Sequence, residues 1–244
     1  MGRAAKGRYR EMSEAREEIL ASIRRSLNRS RLDAARETEL RERVAVHRRN
    51  LVPARAAALD DPGRVDLFVA MAEEVQATVA RVSSPTAVPE AVARYLAAEN
   101  LPADLVLAPD PSLDDLRWDA RPLLRIRRGR AEAIDAVSLT PCFVAIAETG
   151  TLMLISGAVT PTTLNFLPDT HIVVVNANQV VATYEDGWDR LRTGGGMPRA
   201  INFITGPSRT GDIEQRIELG AHGPRRLHII LVDDPQKAGD GENK

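Results

Sequence analysis

The sequence predicts an α/β fold with a partly parallel sheet, and three observations lead to this class. From about residue 61 onward, helical and strand patterns alternate with short connections, which is typical of α/β proteins. Several strand-like segments of the second half are continuous apolar runs, as expected of strands covered on both faces. The chain has 244 residues, of which 43% are hydrophobic, so it is long enough to bury a sizeable core.

The first helix is predicted near the N-terminus. In the segment SEAREEILASIRRSLN, Ile19, Ile23 and Leu27 recur at helical spacing. The following residues, 28–60, are charge-dense and poor in large apolar side chains, and we interpret them as a solvated helix or a mobile arm. A partner-recognition role for this arm is the alternative.

This pattern predicts the division of the chain. We expect residues 1–60 to form an N-terminal helix and a charged arm. Residues 61–235 are expected to form a single α/β domain, and residues 236–244 a disordered tail. The later segments suggest no internal repeat.

The elements of the α/β domain follow in order. VDLFVAMAEEVQ predicts a helix, ATVARV a strand, PEAVARYLAAEN a second helix with proline in its first turn, and ADLVLAP a second strand. RIRRGR predicts an edge strand and a turn, because basic side chains discourage strand-to-strand aggregation at an edge; a phosphate-binding patch is the alternative. The second half adds the strands PCFVAIAETGTLMLIS, THIVVVN, AINFITG and RLHIILVDD, with TYEDGWDRLRTGGG as a short helix ended by glycines.

Composition excludes several classes of function. The formal net charge of −1 and the aromatic content of 4% argue against nucleic-acid binding. The single cysteine, Cys142, excludes an internal disulfide and a self-contained iron–sulfur cluster, and it fits a reducing cytosol. We find neither a secretory signal nor a membrane-spanning apolar run, and therefore expect a cytoplasmic protein.

The segment AETGTLML is the first candidate site. Glu148 ends an apolar run and is followed by Thr149, Gly150 and Thr151. A carboxylate beside hydroxyls at a strand end is suited to act as acid, base or nucleophile. The alternative is a carboxylate that caps a turn. Gly150, between two apolar runs, indicates a bend or a close backbone approach.

The segment INFITGPSRTGDIEQ is the second candidate site. A strand leads into a turn rich in hydroxyls and charges. DIEQRIEL suggests a helix after it, because Asp212 and Gln215 have the spacing of a capping box. The free amides of that helix start would receive an anion, whereas a merely well-capped helix is the equally weighted alternative. The segment contains neither a P-loop lysine nor GxGxxG, so no nucleotide motif is present. The candidate substrate-binding residues here are Gly206, Ser208, Arg209, Thr210, Asp212 and Glu214.

A histidine and a polar turn complete the candidates. His222 lies in the loop GAHGP, where it would serve as a base or simply bond to a backbone carbonyl. The four histidines show no metal-ligand spacing, and we expect no metal site. Thr162, Thr163 and Asn165 would line a pocket or satisfy backbone groups.

Several of these stretches, taken in order, resemble a known family. AETGTL, then LPDTHIVVV with VVAT, then PRAINFITGPSRTGDIE, then GAHGPRRLHIIL are similar to the lactate utilization protein C family (LutC/YkgG type), whose domain is the LUD domain. The segment REEILASIRRSL resembles the helix that opens such proteins. The resemblance covers most of the chain and is weakest over residues 28–60.

The resemblance implies both a fold and a role. The implied fold is a three-layer α/β/α domain with a mixed, largely parallel sheet, like the NagB/RpiA/CoA-transferase group. The implied role is in oxidising L-lactate to pyruvate beside partner proteins that carry the iron–sulfur clusters, with no cofactor bound by this chain itself. Glu148 and His222 are our candidate catalytic residues. The sequence leaves open whether a homo-oligomer forms.

Three hypotheses follow. In the first, the chain is the non-cluster subunit of the lactate-oxidising system, where it binds a small carboxylate through Arg209 or organises its partners. In the second, it is a stand-alone transferase or isomerase that uses Glu148, an idea carried by fold analogy alone. In the third, it is a scaffold or regulatory protein with a relic pocket, and the arm at residues 13–50 binds the partner.

Overall fold

The computed structural model describes the backbone of residues 3–30, 32–49, 51–213 and 216–233. Side chains are described for residues 14–30, 32–49, 51–211 and 218–233. The chain divides into two compact units, residues 1–50 and residues 51–244. The predicted tail at residues 236–244 lies outside the described part.

The first unit is helical. It contains α1 (Arg3–Ser26) and α2 (Ala34–Val46). The side chain of Asp33 accepts a hydrogen bond of 2.7 Å from the backbone amide of Arg36 and thereby caps α2. None of the residues of α2 is buried, so residues 34–46 form the solvated helix that their composition predicts.

The second unit contains the α/β domain. Its helices are α3 (Ala54–Ala57), α4 (Asp61–Glu74), α5 (Val88–Ala98), α6 (Thr163–Phe166) and α7 (Tyr184–Thr193). Its strands are β1 (Thr78–Val82), β2 (Asp104–Leu107), β3 (Arg125–Arg128), β4 (Val137–Pro141), β5 (Val144–Ile146), β6 (Thr151–Ile155), β7 (Thr170–Asn176), β8 (Val180–Val181), β9 (Ile201–Ile204), β10 (Arg209–Ile213), β11 (Arg216–Leu219) and β12 (Arg226–Val232). The alternating helices and strands confirm the predicted α/β class.

A six-stranded parallel sheet forms the centre of the domain. Its strand order is β1-β12-β7-β4-β2-β3, and every neighbouring pair is parallel. Successive side chains of a strand point to opposite faces. Accordingly, Ile172 and Val174 of β7 pack in the core on the α5 side, while Val173 and Val175 pack in the core on the α4 side. Burial on both faces explains why these strands are continuous apolar runs.

The antiparallel strands form a second, four-stranded sheet. Its order is β8-β5-β6-β9, with β5 and β9 both antiparallel to β6 and with β8 parallel to β5. This sheet shares the core on the α4 side of the main sheet. Leu191 of α7 packs with Val144, Ile146 and Met153 on the other side of the small sheet.

The strand β3 occupies one edge of the main sheet, as its arginines predict. Arg125 holds Asp104 through two hydrogen bonds of 2.5 and 2.6 Å. Arg128 pairs with Asp114 at 2.8 Å. Paired arginines along an exposed edge fit protection of that edge better than a phosphate-binding patch.

One predicted element is wrong. The segment DIEQRIEL was expected to begin a helix, but the chain forms an antiparallel hairpin of β10 and β11, in which Thr210 pairs with Glu218. Polar and apolar residues alternate in RIEL, which is the period of a strand. Capping-box spacing is short enough to occur in a turn by chance, and here it misled the prediction.

Gly150 makes the close backbone approach that the sequence predicts. It adopts a φ of +64° between β5 and β6. A Cβ at this position would lie 2.3 Å from the backbone nitrogen of Ala72 and 2.5 Å from the carbonyl carbon of Met71, both in α4. Because these neighbours are helix backbone, they have little freedom to move away.

Replacing this glycine should therefore destabilise the domain. We expect Gly150→Ala to lower the free energy of unfolding by about 2–4 kcal/mol, through backbone strain and overpacking. Chemical denaturation monitored by circular dichroism measures the change. Gly196→Ala is the matched control, since a Cβ there meets nothing within 4 Å. Equal stability of the two variants would contradict the packing argument.

Candidate functional site

The loop of residues 205–209 also packs on the end of α4. Gly206 has a φ of +75°, and a Cβ on it would lie 2.4 Å from the carbonyl oxygen of Val75. The guanidinium of Arg209 donates a hydrogen bond of 2.8 Å to that same carbonyl. An arginine on the last carbonyl groups of a helix also complements the negative end of the helix dipole. Two predicted site residues thus also serve to position their own loop.

Glu148 is buried and acts as a helix cap. Its Oε1 accepts a hydrogen bond of 2.9 Å from the backbone amide of Tyr184, the first residue of α7. Its backbone carbonyl accepts a hydrogen bond from the side chain of Arg55. A carboxylate is stabilising at this end of a helix because it meets the unpaired amides and the positive end of the dipole. The geometry favours the capping alternative.

Four hydroxyl groups form a network beside Glu148. The hydroxyl of buried Thr151 lies 2.7 Å from that of Thr149, 2.9 Å from that of Tyr184 and 2.7 Å from that of Thr205. Thr149 also donates to Tyr184 at 3.2 Å. Since β6 pairs with β9, this network connects the 148–151 turn to the loop that begins at Thr205.

Ser208, Arg209 and His222 lie around one hollow of about 310 Å³, which we call the basic hollow. The backbone amide of His222 donates to Oγ of Ser208 at 3.3 Å, and the amide of Ser208 donates to the carbonyl of Pro224 at 2.8 Å. These bonds hold the two loops together. The described residues that line the hollow include no carboxylate to offset the positive charge of Arg209.

The wall of the basic hollow contains a buried histidine. Nε2 of His171 in β7 lies 2.8 Å from the hydroxyl of Thr140, while Nδ1 has no hydrogen-bond partner among the described residues. Burial lowers the pKa of His171 from 6.5 to about 3, so the ring is neutral at pH 7. Asn165, a residue that the sequence proposes as a pocket liner, also lines this hollow.

The structure brings together only part of the predicted site. Gly206, Ser208, Arg209 and His222 line the basic hollow, whereas Glu148, Thr149, Gly150 and Thr151 do not. Thr205 belongs to both groups, because it lines the hollow and bonds to Thr151.

The three remaining candidates are Thr210, Asp212 and Glu214. Thr210 and the backbone of Asp212 belong to β10, and Glu214 lies outside the described residues. The anion-binding helix start that these residues were expected to form is wrong, because the segment is a strand. Any anion site here depends on side chains instead of on helix amides.

Some contributors were not predicted from the sequence. Thr205 belongs to the segment INFITGPSRTGDIEQ but is not among the predicted site residues. Tyr184 could not be predicted from its sequence neighbours, because the partners of its hydroxyl are 33 and 35 residues away. His171 does give one, because a histidine within an apolar strand must be buried with at most two polar partners. A buried histidine of this kind is a candidate site residue.

Cysteine and metal chemistry receive no support from this geometry. Cys142 is buried, and burial raises the pKa of its thiol to about 12. Within the part of the chain that is described, no group of three His, Cys, Asp or Glu side chains is placed to hold a metal ion. None of the helices there has the length and apolar composition needed to cross a membrane.

The parallel sheet with its covering helices and second sheet defines an α/β protein whose loops enclose a small basic hollow. The LUD domain family matches residues 65–232, and the chain belongs to this family. The chain is similar to lactate utilization protein C of Deinococcus radiodurans, with 40% identity over 120 residues that cover 48% of this chain and 54% of the relative. It is also similar to lactate utilization protein C of Bacillus subtilis, with 35% identity over 102 residues that cover 40% and 42% of the two chains.

A solved structure shows the same fold. The crystal structure of a DUF162 family protein from Deinococcus radiodurans aligns with a TM-score of 0.53 and 27% identity, and the alignment covers 71% of this chain and 99% of that chain. The chain spans about half the length of the curated relatives it matches. The resemblance and the fold expected from the sequence are thereby confirmed.

If Glu148 is a cap, its removal should cost stability. We expect Glu148→Ala to lower the free energy of unfolding by about 1–3 kcal/mol, because it leaves a buried helix amide unpaired. Glu148→Gln keeps an acceptor oxygen and should lose less. Glu185→Ala, in the same first turn, removes only an interaction with the helix dipole. Denaturant titrations that gave Glu148→Ala wild-type stability would exclude the capping role.

The neutral His171 predicts a dependence of stability on pH. Its folded pKa of about 3 lies below the unfolded value of 6.5, so the unfolded chain binds a proton that the folded chain does not. The stability contribution is full above about pH 6.5 and declines as the pH falls toward the folded pKa. Between about pH 7.5 and about pH 5 this one group should reduce the free energy of unfolding by about 2 kcal/mol.

Comparison with a variant isolates the contribution of His171. His171→Leu should lose less stability than the wild type between the two pH values, whatever its stability at neutral pH. His228, whose pKa burial lowers to about 4, contributes in the same direction in both proteins and therefore cancels in the comparison. Identical pH slopes for the two proteins would show that His171 does not titrate on unfolding as described.

Proposed function

We propose that this protein is the non-cluster component of a lactate-utilization system and that its basic hollow receives a small carboxylate such as L-lactate or pyruvate. The observation that carries the proposal is the convergence of Arg209, Ser208 and His222 on one hollow, whose described lining residues include no carboxylate. The names of the relatives supply the metabolic context. Cytoplasmic location is part of the proposal.

The groups around the hollow suit an α-hydroxy or α-keto acid. The guanidinium of Arg209 has five N–H donors. One of them donates to the carbonyl of Val75, and the others can bond to a carboxylate. Ser208 accepts from His222 and keeps its own hydroxyl hydrogen as a donor. Ile204 and Leu227 supply apolar surface for a methyl group.

His222 is exposed and near these donors. In the proposal it takes the proton of the ligand hydroxyl, because a positioned imidazole nitrogen can act as a general base. Hydride or electrons need a redox group, which we assign to iron–sulfur partner proteins; this chain would bind no cofactor of its own. Accordingly, the purified chain should not oxidise lactate when an artificial electron acceptor is present and the partner proteins are absent.

A partner-organising role is the second candidate, and one observation favours it. Ile19 and Ile23 of the first unit lie about one turn apart on α1, and Leu27 directly follows this helix; the three residues are 60%, 48% and 58% exposed. Exposed apolar side chains in a row are typical of a helix that packs against another protein. This role is compatible with carboxylate binding in the second unit.

Titration calorimetry with pyruvate and with L-lactate tests the proposal. We expect weak, salt-sensitive binding, because Arg209 is exposed. Arg209→Gln should weaken it about fivefold, since one exposed ion pair contributes about 1 kcal/mol. Arg209→Lys, which keeps the charge, should lose less.

Arg130→Gln is the matched control, because Arg130 is an exposed arginine in the turn after β3 and does not line the hollow. It should bind both acids as the wild type does. Equal weakening in the Arg130 and Arg209 variants would show a nonspecific charge effect. Absence of binding in the wild type would leave only the partner-organising role, and rapid lactate oxidation by the purified chain would contradict the non-cluster assignment.

A further inference from the structure

A second cavity lies beyond the carboxyl ends of the parallel strands. It has a volume of about 560 Å³, and its walls include Pro141 at the end of β4, Asn176 at the end of β7, and residues 110–116 after β2. We call it the switch-point cavity. Its volume falls within the range of small-molecule sites.

The position of this cavity follows from the order of the strands. The chain passes from β2 outward to β3 and then returns to β4 on the other side of β2. The direction in which the sheet grows therefore reverses between β2 and β4. In open α/β sheets, ligands bind outside the carboxyl ends of the strands at such a reversal.

The chemistry of the wall differs from that of the basic hollow. Asp110 and Asp115 contribute carboxylates, and Asn165, Asn176 and Gln179 contribute amides. None of the described residues that line the cavity is Lys, Arg or His. A carboxylate or phosphate ligand would meet two negative charges there without a compensating cation.

Two polar side chains are available to a ligand. Asn165 is only 4% exposed and lines the cavity, yet its side-chain amide forms no hydrogen bond with the described residues. Asp110 uses Oδ1 to accept from the amide and the hydroxyl of Ser112, at 2.9 and 2.6 Å, so its Oδ2 remains. By contrast, Gln179 already donates to the carbonyl of Cys142 and accepts from Asn176.

We propose that the switch-point cavity binds a neutral ligand with adjacent hydroxyl groups, with Asn165 and Asp110 as its hydrogen-bond partners. A free amide both donates and accepts, and a free carboxylate oxygen accepts, which together match the donor and acceptor of a vicinal diol. Phe143 and Leu113 provide apolar surface for the face of a ring. Free sugars and nucleosides are the two sources of this chemistry.

This inference does not depend on the carboxylate proposed for the basic hollow. Arg209, Ser208 and His222 carry that proposal and do not line the switch-point cavity, although Asn165 lines both. The side-chain amide of Asn165 lines the cavity and has no hydrogen-bond partner among the described residues, so a ligand can bond to it without breaking a contact of the protein. A ligand that supplies the partner should therefore bind to the folded chain and raise its melting temperature.

Titration calorimetry of the full chain with adenosine, D-ribose and AMP tests the site. Saturable binding of adenosine or D-ribose supports it, and the tighter of the two identifies the nucleoside or the free sugar as the source. AMP should bind more weakly than adenosine, because its phosphate adds negative charge beside Asp110 and Asp115. Absence of binding by both neutral probes, or tighter binding of AMP than of adenosine, would overturn the proposal.

Variants then locate the binding. Asn165→Leu, which is close in shape, and Asp110→Asn should each weaken binding of the neutral probe about tenfold. Asn178→Leu is the control, because Asn178 is exposed and does not line the cavity. Should Asn165→Leu fail to fold, Asp110→Asn still decides, since Asp110 is only half-buried and the substitution keeps the size of its side chain. Wild-type affinity in both site variants would overturn the assignment.

Discussion

The arrangement of the candidate site depends on the close contact of two loops with the end of α4. Gly150 and Gly206 approach the helix backbone so closely that a methyl group does not fit at either position. Arg209 adds a hydrogen bond to the carbonyl of Val75. Because interiors are densely packed and shift little, this contact fixes where the loops leave the sheet and therefore where Ser208 lies.

The polar groups of the domain form three sets: the Glu148 cap, the hydroxyl network of Thr151, and the pair of His171 and Thr140. Glu148 caps α7, and the hydroxyl network around Thr151 leads to Thr205 at the rim of the basic hollow. On the neighbouring strands β4 and β7, the hydrogen bond between Thr140 and His171 joins a residue that lines the switch-point cavity to one that lines the basic hollow. The described charged side chains that line the basic hollow and the switch-point cavity are thus opposite in sign.

The sequence predicted most of the fold because its signals are local. Apolar runs such as THIVVVN identified buried strands, and Gly150 between two such runs identified a close approach. The hairpin of β10 and β11 was mistaken for a helix because a short capping pattern was weighed above the period of RIEL. Glu148 was identified as a strand-end carboxylate, but its partner Tyr184 lies 36 residues away, a contact that only the folded chain reveals.

The central claim is that the proposed carboxylate ligand binds at Ser208, Arg209 and His222 and not at Glu148. Amide chemical-shift mapping of the labelled chain during titration with pyruvate tests it most directly. The account predicts that the largest shifts fall on residues 205–209 and 222–224. Shifts centred on Glu148 and Tyr184, with the basic hollow unperturbed, would contradict it.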